Sequence, residues 1–158
     1  MTRDTPNWVA WYQEAYLRLK IQDEVYRSLR YEVPLSVVVA QFPVFGRRTA
    51  RTFHEFVSNQ LRRLDFAGAF GDGLYALTLP HTPREGADVV AQRLEEAFPQ
   101  SKPLVGVASI PEDGDCLTVD LLEIATRYAL ETTAGPEPRF LHPELQRIER
   151  ISQTRGEQ

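Results

Sequence analysis

The sequence predicts an α/β sandwich with a mixed central sheet, and three observations carry that prediction. The run LSVVVAQF at 35–42 is β-branched and almost without polar residues, the composition of a strand buried on both faces. Segments of helical periodicity alternate along the chain with this run and with further short apolar stretches. The Gly71-Asp72-Gly73 triplet separates two apolar stretches, as a tight hairpin turn does, because glycine and aspartate tolerate the backbone angles it needs.

The elements follow in order. Between Asn7 and about Tyr31 there is no proline or glycine, and Trp8, Trp11, Tyr12, Ala15, Leu19, Tyr26 and Leu29 recur at helical spacing. This predicts one long amphipathic helix. It packs either on its own domain or on a second copy of the chain, and the spacing leaves both open. Trp8 and Trp11 are of the type that anchors protein interfaces. After Pro34 the LSVVVAQF run is the expected central strand. Residues 49–64 predict a helix with Phe53, Phe56, Val57, Leu61 and Leu64 inward and Thr49 or Thr52 as its cap. The hairpin comes next, then a helix from about Pro83 to Phe98 with Val89, Val90, Leu94 and Phe98 inward. LVGVASI is a strand, PEDGD a loop and Leu117 to Thr133 a helix. GPEP breaks the chain before a last charged helix near Pro143 to Ile151 and a frayed end. The organisation expected is an N-terminal helix over 1–31, an α/β domain over 32–140, and a C-terminal helix and tail over 141–158.

Composition narrows the function. The chain has 158 residues, 42% hydrophobic and 25% charged, with a formal charge of -4, which sets one ordinary globular domain as the default and leaves no electrostatic footprint for nucleic acid. It lacks an apolar run long enough to span a membrane, and MTRDTPNW lacks the apolar core of a secretory signal, so a cytoplasmic chain without membrane insertion is expected. Cys116 is the only cysteine and cannot close an internal disulfide; it follows an acidic loop without a cation to lower its pKa. His54, His81 and His142 are too far apart for a local metal motif, and His54 is expected beside Phe53 or in solvent.

Four stretches in this order, RYEVPLSVVVAQFPVF, FGDGLYALTLPHT, PLVGVASIPEDG and LLEIATRYAL, make the chain resemble the GGDEF domain of bacterial diguanylate cyclases from about Tyr26 to Gly135. The resemblance implies a domain whose relatives join two GTP molecules into cyclic di-GMP with two metal ions held by carboxylates. It also implies that this chain lacks those carboxylates. The family's metal-binding Asp at the end of the central strand corresponds to Gln41 and the next Asp to Pro43, while Phe45 keeps the family's aromatic. In the hairpin motif, Gly71 and Asp72 are followed by Gly73 and Leu74 where the family has acids. Asp72 is one place out of register, and a one-residue slip would turn the flanking side chains to the wrong face. The segment GRRTART leads straight into the helix where the family has a guanine-holding loop, and the family's phosphate-holding Lys falls near Thr133. The implied protein is not an enzyme and needs no metal or other cofactor.

One family feature stays in register. Arg62-Arg63-Leu64-Asp65 matches the Arg-x-x-Asp site at which many of these cyclases bind their product. An arginine can donate two parallel hydrogen bonds to the O6 and N7 edge of guanine while a carboxylate accepts from its N–H groups. At a helix end, spacing three puts both on one side. Arg93 lies where the family completes the site from the next helix, and Arg63 adds charge. The expectation is a bacterial signalling domain that binds cyclic di-GMP without catalysis and relays it to a protein partner, with the 7–31 helix as a candidate surface for that partner or for a homodimer. The alternative is a nucleotide-independent interaction or scaffold module of the same fold. Residual GTP or ATP binding is a third reading, since glycine at the tip permits close backbone approach to phosphate.

Overall fold

The computed structural model describes residues 10–43, 46–71 and 73–131. The elements are β1 (Ala10–Tyr12), α1 (Glu14–Tyr31), β2 (Leu35–Gln41), α2 (Arg47–Gln60), β3 (Phe66–Gly71), β4 (Leu74–Pro80), α3 (Arg84–Ala97), β5 (Leu104–Ile110) and α4 (Leu121–Glu131). They form a five-stranded sheet in the order β1-β3-β4-β2-β5, in which β1 runs parallel to β3 and every other pair is antiparallel.

Strand periodicity divides the core in two. Val38 and Ala40 of β2 point to one side, where they meet Phe53, Phe56 and Val57 of α2 and Ala91 and Leu94 of α3. Val37 and Val39 point to the other, where they meet Leu17, Ile21 and Val25 of α1 and Leu122 and Ala125 of α4. The result is the predicted sandwich, with α2 and α3 on one face of a mixed sheet and α1 and α4 on the other. Gly106 shows how closely the layers approach: a Cβ there would collide with the backbone of Ala125 and Ala129 in α4. Among the described residues, no helix is long and apolar enough to cross a membrane.

Several expectations need correction. Residues 10–12 are a strand, not the start of a helix, because β3 offers an unpaired edge that they fill in parallel register, Ala10 on Phe66 and Tyr12 on Gly68. Trp11 and Tyr12 accordingly point to opposite faces: Trp11 stacks on His54 at 4.6 Å, and Tyr12 meets Phe66 at 5.5 Å. The face of α1 that enters the core is Leu17, Ile21, Val25 and Ser28, whereas Leu19 is 63% exposed and Tyr26 50%. The helix carries two apolar stripes, and its periodicity does not say which one meets the sheet. That packing makes α1 a layer of the sandwich.

β2 is interior, paired on both sides, but the middle strand is β4 because β1 extends the sheet at the far edge. α2 ends at Gln60, so Leu61 is buried while Leu64, beyond the helix, is 69% exposed. Its N-cap is Gly46, not Thr49 or Thr52. In α3 the inward positions are Ala87, Ala91 and Leu94, and Val89 faces out. α4 starts at Leu121, later than Leu117, where Asp120 Oδ1 accepts the Glu123 amide at 3.0 Å and caps the helix. Trp8, Phe45, Asp72, Thr133, His142, the 143–151 helix and the tail lie outside the described residues.

Candidate functional site

The end of β2 and the hairpin between β3 and β4 meet. Gln41 pairs with Leu74 in register, and the Phe42 amide donates to the Gly73 carbonyl at 2.9 Å. Gly73 has a φ of 67°, a left-handed turn conformation that glycine adopts without strain. Beneath the tip is an aromatic cluster: the Phe42 ring lies 5.7 Å from Phe53 and 4.9 Å from Phe98, and Tyr75 is 4.6 Å from Phe53. Burial raises the pKa of Tyr75. The Gln41 Oε1 atom is buried and has no hydrogen-bond partner among the described residues.

The described residues at this end of the sheet do not fit a pair of hard divalent cations. Such ions take carboxylate and other oxygen ligands in numbers, and the described side chains here are an amide, a glycine and a leucine. Among the described residues, no group of three or more His, Cys, Asp or Glu side chains could hold a metal ion.

Arg62 and Asp65 come together, but not at a helix end. The chain leaves α2 at Gln60 and turns, with the Asp65 amide donating to the Arg62 carbonyl at 3.0 Å. Asp65 points inward and is 3% exposed. Its Oδ2 accepts the Arg62 backbone amide at 2.7 Å and Arg62 Nε at 3.4 Å, and its Oδ1 accepts Arg62 Nη2 at 3.2 Å. Arg62 Nη2 also donates to the Pro80 carbonyl at 2.9 Å and to the Thr82 hydroxyl. The Thr82 hydroxyl in turn donates to the Pro80 carbonyl at 3.1 Å. The hairpin register explains this meeting: Phe66 pairs with Thr78, so the start of β3 lies beside the end of β4. Asp65 is therefore turned into the protein, with both carboxylate oxygens on Arg62. Together with Thr82 and Pro80 it holds one edge of a guanidinium whose side chain is still 58% exposed.

Arg93 reaches the same face. It lies on α3, and its Nη1 donates to Gln60 Oε1, the last residue of α2, at 3.2 Å. Arg63 is exposed in the turn between Arg62 and Asp65. A half-exposed guanidinium held along one edge can recognise an anionic, planar acceptor edge. The sequence reading missed Thr82 and Pro80, and no local signal marks them; only the register of the hairpin brings them to Arg62.

No family model matches the sequence, and no match emerges among the curated proteins. Solved structures do match. The GGDEF domain of FimX from Pseudomonas aeruginosa superimposes with a TM-score of 0.65 at 16% identity, over 85% of this chain and 96% of that one. The coiled coil and GGDEF domain of DgcB from Caulobacter crescentus, solved in complex with c-di-GMP, gives 0.60 at 15% identity, over 85% of this chain and 83% of that one. Diguanylate cyclase SiaD from Pseudomonas aeruginosa, solved with its activator SiaC, gives 0.61 at 18% identity, over 77% of this chain and 55% of that one. The fold of this chain is that of GGDEF domains.

Proposed function

We propose that this chain is a non-catalytic signalling module on the GGDEF fold, which binds cyclic di-GMP on the face where α2 ends beside α3 and relays the bound state to a protein partner. Arg62 and Arg93 make the ligand contacts, Arg63 adds charge, and Asp65 positions Arg62. The observation that supports this most is the Arg62 side chain, oriented by Asp65, Pro80 and Thr82 yet 58% exposed. An arginine held in this way loses little side-chain entropy when it grips the O6 and N7 edge of a guanine. The non-catalytic reading rests on Gln41, Gly73 and Leu74 standing where relatives of this fold carry metal-binding acids. Calorimetric titration of cyclic di-GMP into the protein is expected to give saturable heat that Arg62→Ala abolishes and Arg93→Ala weakens. No heat from the parent protein ends the proposal. Incubation with GTP and manganese is expected to yield no cyclic di-GMP, and any product formed overturns the non-catalytic reading.

A second reading, a nucleotide-independent interaction module, is favoured by one specific observation. Both Asp65 oxygens are already used by Arg62, so the pair is complete without a ligand. Absence of cyclic di-GMP heat together with retained partner capture selects this reading.

A further inference from the structure

Behind the Arg62 site, the sheet carries two buried hydroxyls that neither reading above uses. Ser36 and Ser109 are both fully buried, and they face each other across β2 and β5, where the ladder pairs them. Ser36 alternates along β2 with Val37 and so shares the face of Val38 and Ala40, the one that holds α2 and α3. Its Oγ donates to the Thr82 carbonyl at 2.8 Å and lies 2.7 Å from the Ser109 Oγ. A hydroxyl has one proton to donate. Ser36 gives its proton to Thr82, so Ser109 is the donor between the two serines, and the bonds run in one direction, from Ser109 through Ser36 to Thr82.

The bonds end on the turn that holds Arg62. The ladder between β2 and β4 stops at the pair of Leu35 with Pro80. Just beyond it His81 takes a φ of 55°, a left-handed conformation that is costly for a residue with a side chain and persists where surrounding contacts impose it. The residues on either side of His81 converge: the Pro80 carbonyl accepts the Thr82 hydroxyl at 3.1 Å, and both accept from Arg62 Nη2. Ser36 anchors this turn from the interior. A buried, hydrogen-bonded hydroxyl stabilises a core little more than an apolar group of the same shape, so what the serine pair adds is the geometry of the turn.

We infer that Ser36 is a positioning residue for Arg62, with Ser109 orienting its hydroxyl: the pair fixes the turn over 80–82, the turn fixes the guanidinium, and the fixed fork selects guanine over adenine. The selection rests on the cyclic di-GMP reading above. Guanine offers the acceptors O6 and N7 to a bidentate arginine, whereas adenine sets an N6 donor against the fork. A guanidinium that is free to turn keeps its charge but loses this discrimination.

Two readouts on the full chain test this. In NMR relaxation, the order parameter of the Arg62 Nε–H group, its signal identified by its loss in Arg62→Lys, is expected to fall by about a third in Ser36→Ala. It should fall less in Ser109→Ala, where Ser36 still donates to Thr82, and the double variant should match Ser36→Ala. In calorimetry, Ser36→Ala is expected to reduce the preference for cyclic di-GMP over cyclic di-AMP at least about fivefold, by weakening cyclic di-GMP alone. Backbone amide spectra check that each variant keeps the fold. An unchanged Arg62 signal in Ser36→Ala, an equal loss of affinity for both dinucleotides, or a parent protein that binds both alike overturns the inference. A parent protein that takes neither dinucleotide ends the cyclic di-GMP reading and the guanine selection with it, while the Arg62 signal still decides whether Ser36 orients the guanidinium.

Discussion

Two aspartates, Asp65 and Asp113, are buried in the same manner, and each accepts a backbone amide at 2.7 Å, Asp65 from Arg62 and Asp113 from Ser109. Each also faces an arginine, at 3.2 Å for Arg62 and 3.4 Å for Arg84. They differ in where the arginine goes. The Arg84 side chain is 22% exposed and closed in by Tyr128, whose hydroxyl donates to the other Asp113 oxygen at 3.5 Å. Burial alone would lower the pKa of Arg84, but Asp113 and Tyr128 outweigh it and raise the pKa. That cluster ties the start of α3 to the loop after β5 and to α4, all within the fold. The Arg62 cluster ties a turn to the end of the hairpin and leaves its guanidinium in solvent. The same local chemistry is enclosed within the fold in one cluster and leaves a guanidinium in solvent in the other.

The comparison can be broken by substitution. Asp113→Ala strands the Arg84 charge and the Ser109 amide in the interior and is expected to remove about 3 to 5 kcal/mol of stability in urea unfolding, with cyclic di-GMP affinity unchanged where the protein is still folded. A loss under about 1 kcal/mol would make the two clusters equivalent. Asp65→Ala should remove less, about 1 to 3 kcal/mol, since Arg62 keeps solvent and two other acceptors. It should also lower cyclic di-GMP affinity about tenfold or more through a guanidinium that is no longer aligned. Arg62→Lys separates the two effects: the charge remains but the bidentate fork is lost, so stability should change by less than about 1 kcal/mol while affinity drops about tenfold. Stability and affinity falling in proportion would instead mean that binding reports only on folding.

The remaining predictions concern smaller effects. Burial, and after it Asp113, raises the pKa of Tyr128 above its ordinary value of 10.0. The folded state therefore holds a proton that the unfolded chain releases, so this contribution is fully present below pH 10 and is lost as pH rises beyond it. Tyr128→Phe is expected to flatten that alkaline decline in thermal unfolding measured across the range, with little change at neutral pH. Gln41→Met replaces a buried, unpartnered amide oxygen with an apolar side chain of similar length, and stability should stay level or rise by up to about 1 kcal/mol. A marked loss would reveal a partner for Gln41.

Legibility followed the range of the forces involved. The interior strand Leu35–Gln41, the hairpin around Gly73 and the strand Leu104–Ile110 were readable because continuous β-branched, apolar runs and turn chemistry are written in neighbouring residues. The pairing of Arg62 with Asp65 was also readable, from spacing and resemblance. Its orientation was not: the helix expected to run to Leu64 stops at Gln60, and the turn that follows rotates Asp65 inward. Residues 10–12 misled for a related reason. Their aromatic spacing suits a helix, but an open edge of β3 captures them as a strand.

By itself the amino-acid sequence determined the sandwich and its mixed sheet, because apolar periodicity and turn chemistry are properties of the chain alone. Only the tertiary structure decided which stripe of α1 is buried, that Thr82 and Pro80 share the guanidinium of Arg62, and that Arg93 stands beside the end of α2. Those outcomes depend on residues distant in sequence, brought together by the register of β3 on β4 and by two helices packed on one face of the sheet.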